Sequence, residues 1–193
     1  MAAVAAPAPS PRPVLAEVEE LRERLNAPAD SGSDALLEAL LEAASEQIEL
    51  HAARQFHPTP GGKPEGVETR TIQLDSRFAR LPDLRADEDT VILADGQPVE
   101  HCRLLARSGH PAHAIVLYQD AHELTITGRW GFSPVPPDIR HATLVWAARA
   151  FFQRQARQAD VSQNPETGVA SSYFARVPTV VRATLQAYRV VGL

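Results

Sequence analysis

The sequence predicts an α+β fold, a small bundle of about four helices with an antiparallel β-meander inserted between the second and the third. Three observations carry that prediction. Apolar residues recur at helical spacing in four stretches placed before and after the middle of the chain. Between about Val67 and Trp130 the pattern changes to short runs broken by turn signals such as Asp95-Gly96. Finally, Thr125–Gln158 passes from an alternating strand through Gly131 and a proline cluster straight into one long helix.

The first stretch, MAAVAAPAPSPRP (1–13), has no basic region ahead of an apolar run, and prolines interrupt it. It reads as an extended Ala/Pro-rich arm, either a disordered tail or a segment that orders against a neighbouring subunit. A single domain (14–193) follows. Its first helix spans about 14–25, with Val14, Val18, Leu21 and Leu25 on one stripe. After a Pro/Asp/Ser/Gly turn, the second helix spans about 33–56, and Ser31 and Asp34 have capping-box-like spacing at its start. Leu37, Leu40, Leu41, Ala44, Ile48 and Ala52 form its stripe, and Glu38, Glu42, Glu46 and Glu49 an acidic flank.

Five strands are expected in the insertion (about 67–130): Glu68–Leu74, Thr90–Ala94, Val99–Ala106, Ala114–Tyr118 and Glu123–Trp130. Leu81-Pro82-Asp83-Leu84 reads equally as a sixth, edge strand or as an ordered loop, because a proline cannot donate to a ladder. In the last strand Leu124, Ile126 and Trp130 share one face. Pro137 then suits a first helical turn and Asp138 the positive end of the helix dipole, so the third helix spans about 137–158. Trp146 and Ile48, each central in its stripe, are expected in one helix–helix interface. Residues 159–176 lack periodicity, and the fourth helix runs over about 178–190 on Val181, Leu185 and Tyr188. The arm and this long linker are expected to order on assembly.

Bulk properties narrow the function. A net charge of -5 argues against a general nucleic-acid binder, and no apolar run approaches the ~20 residues of a membrane helix. The single cysteine, Cys102, excludes an intramolecular disulfide and a cysteine-based zinc cluster, which fits a reducing compartment. His110 and His113 flank a proline in a turn with no carboxylate or cysteine beside them in sequence, and His51 and His57 straddle a helix end. No metal and no cofactor is expected. There is no G-x-S-x-G elbow, P-loop or G-x-G-x-x-G. Glu19/Glu20 and Asp87/Glu88/Asp89 sit on polar segments without the apolar surroundings that would split their pKa values. Trp130, Phe132, Trp146, Phe151 and Phe152 read as core rather than as a ligand box. Arg140, Arg149, Arg154 and Arg157 read as helix-end and subunit contacts rather than as a phosphate site. No catalytic residue is assigned, and an enzyme is the weaker reading.

Three stretches, in order, carry a resemblance. They are ALLEALLEAASEQIELHAARQF (Ala35–Phe56), LTITGRWGFSPVPPDIRHATLVWAARAFFQR (Leu124–Arg154) and VPTVVRATLQAYR (Val177–Arg189). Together they resemble the head–tail connector (adaptor, head-completion) proteins of long-tailed bacteriophages and related prophage or gene-transfer elements. The resemblance implies a non-enzymatic structural subunit of the virion neck, made in the host cytoplasm. It would form a homo-oligomeric, dodecameric ring under the portal protein, meet the next neck or tail protein, and let DNA pass through its channel. It implies no membrane partner. A tail-terminator or other neck subunit, or a small-ligand-binding or enzymatic α+β domain, are the alternatives. A closed ring needs two different, complementary patches on each subunit. Glu38, Glu42, Glu46 and Glu49 are candidates for one, Arg149, Arg154 and Arg157 for the other, and Tyr188 and Arg189 for the portal side.

Overall fold

A computed structural model describes residues 13–27, 31–59, 66–163 and 176–189. Residues 1–12 of the arm and 164–175 of the linker lie outside them, and with them the expectation that these segments order on assembly.

Helix α1 (Val18–Leu25) starts later than its apolar spacing suggests. Glu17 and Glu20 form a capping box that fixes the first turn, and Asn26, at φ 50°, ends the helix in the left-handed conformation. The segment ahead of the cap is non-helical. It buries Leu15 and Ala16, leaves Val14 39% exposed, and donates the Leu15 N–H to Ser45 Oγ at 3.0 Å. Helix α2 (Ser31–Ala52) and helix α3 (Pro137–Gln163) pack on one another. Helices α1 and α4 (Thr179–Tyr188) each lie against both. Helix α3 runs five residues beyond its expected end. The α2 stripe meets Ile139, Ala142, Trp146, Ala147 and Ala150, so Trp146 and Ile48 do share one apolar core. Alanines on both facing helices let the backbones approach closely.

The insertion forms a seven-stranded antiparallel sheet among the described residues. Its strands are β1 (Glu68–Gln73), β2 (Phe78–Arg85), β3 (Val91–Ala94), β4 (Gln97–Pro98), β5 (Cys102–Ala106), β6 (Ala112–Leu117) and β7 (Glu123–Trp130). The order is β4-β3-β7-β2-β6-β5, with β1 also paired to β7. The expected strand over 99–106 is shortened to β5, because residues 99–101 form a bend, and the two-residue β4 precedes it. The ambiguous Leu81–Leu84 segment belongs to β2, which lies inside the sheet between β6 and β7 rather than at an edge. Pro82 is tolerated there because the β2–β6 register shifts between Arg80 and Leu84, and Asp83 takes φ 63°. Leu84, Ile115, Leu117, Leu124, Ile126 and Trp130 make the sheet's own core.

Chain direction reverses at Gly131, whose φ is 79°. A Cβ there would fall 1.9 Å from the His57 carbonyl oxygen, so only glycine permits the strand and the segment after α2 to touch. Prolines then carry the chain to Pro137, where α3 begins as expected.

Candidate functional site

The feature that joins the two cores is polar, and neither half of the chain announces it. Arg54, just past the end of α2, points its guanidinium into the base of the sheet. Its Nε donates to Asp83 Oδ1 at 2.6 Å and its Nη1 to the Tyr188 carbonyl at 3.1 Å. Asp83 is fully buried, accepts the Gln55 N–H at 2.8 Å through its other oxygen, and accepts the Gly131 N–H at 2.8 Å through its carbonyl. Burial pushes the Asp83 carboxyl up, against the opposing pull of Arg54 and the Gln55 N–H. Four pieces of chain therefore meet at one ion pair: the end of α2, the middle of β2, the β7–α3 turn and the end of α4.

Aromatic rings cover that pair. Phe56 lies 5.2 Å from Phe132 and 5.3 Å from Tyr188, and the Arg54 guanidinium sits over Phe132 at 5.4 Å. The Tyr188 hydroxyl donates to Asp138 Oδ1 at 2.7 Å, tying α4 to the first turn of α3. Burial first, then that hydrogen bond, raises the Tyr188 phenol above its ordinary value. His110 stacks on Tyr188 at 5.4 Å, with 19° between the planes. Burial and then the Arg54 charge push His110 and His113 down. The sequence shows no carboxylate beside these histidines, but the fold brings Asp83 near enough to act on both. A groove of about 590 Å³ runs past His110, Phe132, Pro134, Pro137 and Tyr188, offering ring and proline surface with one imidazole. Among the described residues no group of three or more His, Cys, Asp and Glu could hold a metal ion, and no helix is long and apolar enough to cross a membrane.

The charged candidates distribute unevenly. At about 100° per residue, Glu38, Glu42, Glu46 and Glu49 lie on one side of α2, away from its buried stripe. Glu38 and Glu46 are exposed and Glu42 half-buried. Glu49 is engaged within the chain: its Oε1 accepts the N–H of Phe56 at 2.6 Å and of His57 at 3.1 Å, and lies 2.7 Å from His57 Nδ1. It ties down the turn after α2 and is only partly available to a partner. On α3, Arg149 is exposed and Arg154 half-buried, and five residues of helix set them about 140° apart, so they do not share a face. The side chain of Arg157 lies outside the described residues. Arg140 reaches α1, its Nε donating to Glu20 Oε2 at 2.7 Å. Tyr188 is 9% exposed and committed to the joint, so little of its side chain is available to a partner, whereas Arg189 is exposed. Of the aromatics read as core, Phe152 is 55% exposed, because it falls on the α3 side away from the buried Ile139 and Ala150.

No model of a known protein family matches the sequence, and no curated protein matches it. Among solved structures, the fold is similar to a chain from the neck of an empty GTA (gene transfer agent) particle, computed with C6 symmetry. The TM-score is 0.54 at 20% sequence identity, over 98% of this chain and 95% of that one. At that identity the likeness is one of fold, and it spans the helices and the inserted sheet together.

Proposed function

We propose that this chain is a structural subunit of the neck of a phage-like particle, where copies of it form a ring that joins capsid to tail. The observation that carries the reading is the near-complete overlap, in both directions, with the fold of a chain from such a neck. The helical bundle with its inserted sheet is matched as one unit, rather than a common helical pair alone. A sixfold-symmetric neck accommodates rings of six or twelve copies. The connector resemblance favours twelve, under the portal and above the next neck or tail protein, with DNA passing through the channel. The site chemistry supports a structural role: the buried polar cluster joins secondary-structure elements, and its ionisable groups are spent on one another.

The test is to locate the chain. Purified particles carrying a tag on this protein are imaged by electron microscopy, with the copy number measured by quantitative mass spectrometry. Density at the capsid–tail junction in a multiple of six copies per particle is expected. Particles with intact necks that lack the chain would overturn the proposal. Density at the far end of the neck alone would instead favour a tail-terminator subunit.

A further inference from the structure

Two exposed helix faces carry opposite charge. On α2 the outward side presents Glu38, Glu42 and Glu46 with small alanines, and ends in Leu50, which is 69% exposed. On α3 the outward side presents Val145, Arg149, Phe152 and Ala156, and Arg24 of α1 borders the same shallow depression. These two helices pack on one another through their buried stripes, and α1 and α4 each lie against both. The glutamates lie outside the buried stripe of α2, and Arg149 and Phe152 are both exposed on α3. The acidic face and the basic face are therefore two different surfaces of the same subunit.

We infer that the acidic α2 face of one copy docks on the Arg24–Arg149–Phe152 face of the next copy, head to tail, and that this contact is the repeating joint of the ring. The inference rests on the ring reading above. Each face pairs one large exposed apolar side chain, Leu50 or Phe152, with charges complementary to those of the other. That is the composition of an interface with an apolar anchor and a charged rim. A face that met its own copy would place like charges together, which disfavours a twofold dimer through either patch. Two different complementary patches instead generate a heterologous contact that closes into a ring when the rotation permits. The match also separates Arg149, which belongs to the joint, from Arg154, which lies around the helix from it.

Charge exchange tests this on the full chain. Two variants are made, one with Glu38→Arg and Glu42→Arg, the other with Arg24→Glu and Arg149→Glu. All four side chains lie away from the buried stripes, so both variants should keep the far-ultraviolet spectrum and melting temperature of the parent. Self-association is followed by sedimentation velocity over a concentration series at low salt. Each variant alone should associate at least about tenfold more weakly than the parent. An equal mixture should recover association, because every contact in an alternating array is again between opposite charges. Phe152→Ser should weaken association at low and high salt alike. If the parent assembles and both variants assemble equally well, the ring uses other faces and this inference is wrong while the ring stands. Variants that weaken alone but fail to recover on mixing would also overturn it. A parent that stays monomeric throughout, and that is also absent from particle necks, removes the ring reading itself.

Discussion

The helical cluster around Trp146 and the sheet cluster around Ile126 are both sealed from water, yet they are sealed by different means. In the helical half, four helices bury broad stripes of leucine and alanine against each other. In the β half a single curled sheet covers itself, with Leu124, Ile126 and Trp130 turned inward from β7. Its outer face carries a polar ladder, in which Thr69 and Thr127 hydroxyls lie 2.7 Å apart and Gln73 donates to Glu123 at 2.9 Å. Each half has an apolar reason to form, and a polar device links them, the Arg54–Asp83 pair under Phe56, Phe132 and Tyr188. In the proposed ring subunit that division matters. Faces on the helices and edges on the sheet can contact different partners in fixed register only if the joint holds.

The joint is where the comparison breaks most sharply. Arg54→Ala should cost about 3–5 kcal/mol, because Asp83 remains buried without its cation. In denaturant, with far-ultraviolet and tryptophan signals followed together, the two halves should then unfold in separate steps. A single unshifted transition would show that the apolar contacts alone couple them. Trp146→Ala should cost a similar ~3–5 kcal/mol by emptying an aromatic core site, and Ile126→Ala about 2–5 kcal/mol. Hydrogen exchange distinguishes these two. The first should lower protection mainly in α2 and α3, the second mainly in β1, β3 and β7. Equal loss across the chain in both variants would mean that there is one core rather than two.

Tyr188→Phe should cost about 1.5–3 kcal/mol, since it removes a hydrogen bond to the Asp138 carboxylate. It also has a pH signature. A phenol held above its ordinary value of 10.0 in the folded chain contributes stability that is complete below pH 10 and is lost as pH rises towards the folded value. Urea midpoints above pH 10 should therefore fall more steeply in the parent than in the Phe variant. Parallel slopes would place the phenol in water. The smallest effect belongs to the outer ladder, where Thr71→Val, opposite Thr125, should change stability by less than about 1 kcal/mol. A larger loss on thermal melting would reveal a second buried face on the sheet.

The sequence by itself determined the class of fold, all four helices, the strand over Glu123–Trp130 with its inward Leu124, Ile126 and Trp130, and the Pro137 start of α3. It also placed Trp146 and Ile48 in one core. These are local properties, because period and breaker residues report which side of an element will be apolar and where the element must stop. Only the tertiary structure decided what lies against each side. Asp83 meets Arg54 across 29 residues of sequence, and Tyr188 meets Asp138 across 50. Pro82 sits inside the sheet because a register shift and a positive φ at Asp83 relieve the ladder there. Glu49 is drawn off the acidic flank by the backbone N–H groups of the turn that follows it. Phe152 is left in water because it lies on the side of α3 away from the buried stripe. A spacing rule names a face, but only long-range packing supplies its neighbour, so the charged faces were legible as residue types, while the buried joint and the Phe152 anchor emerged only once the chain had closed on itself.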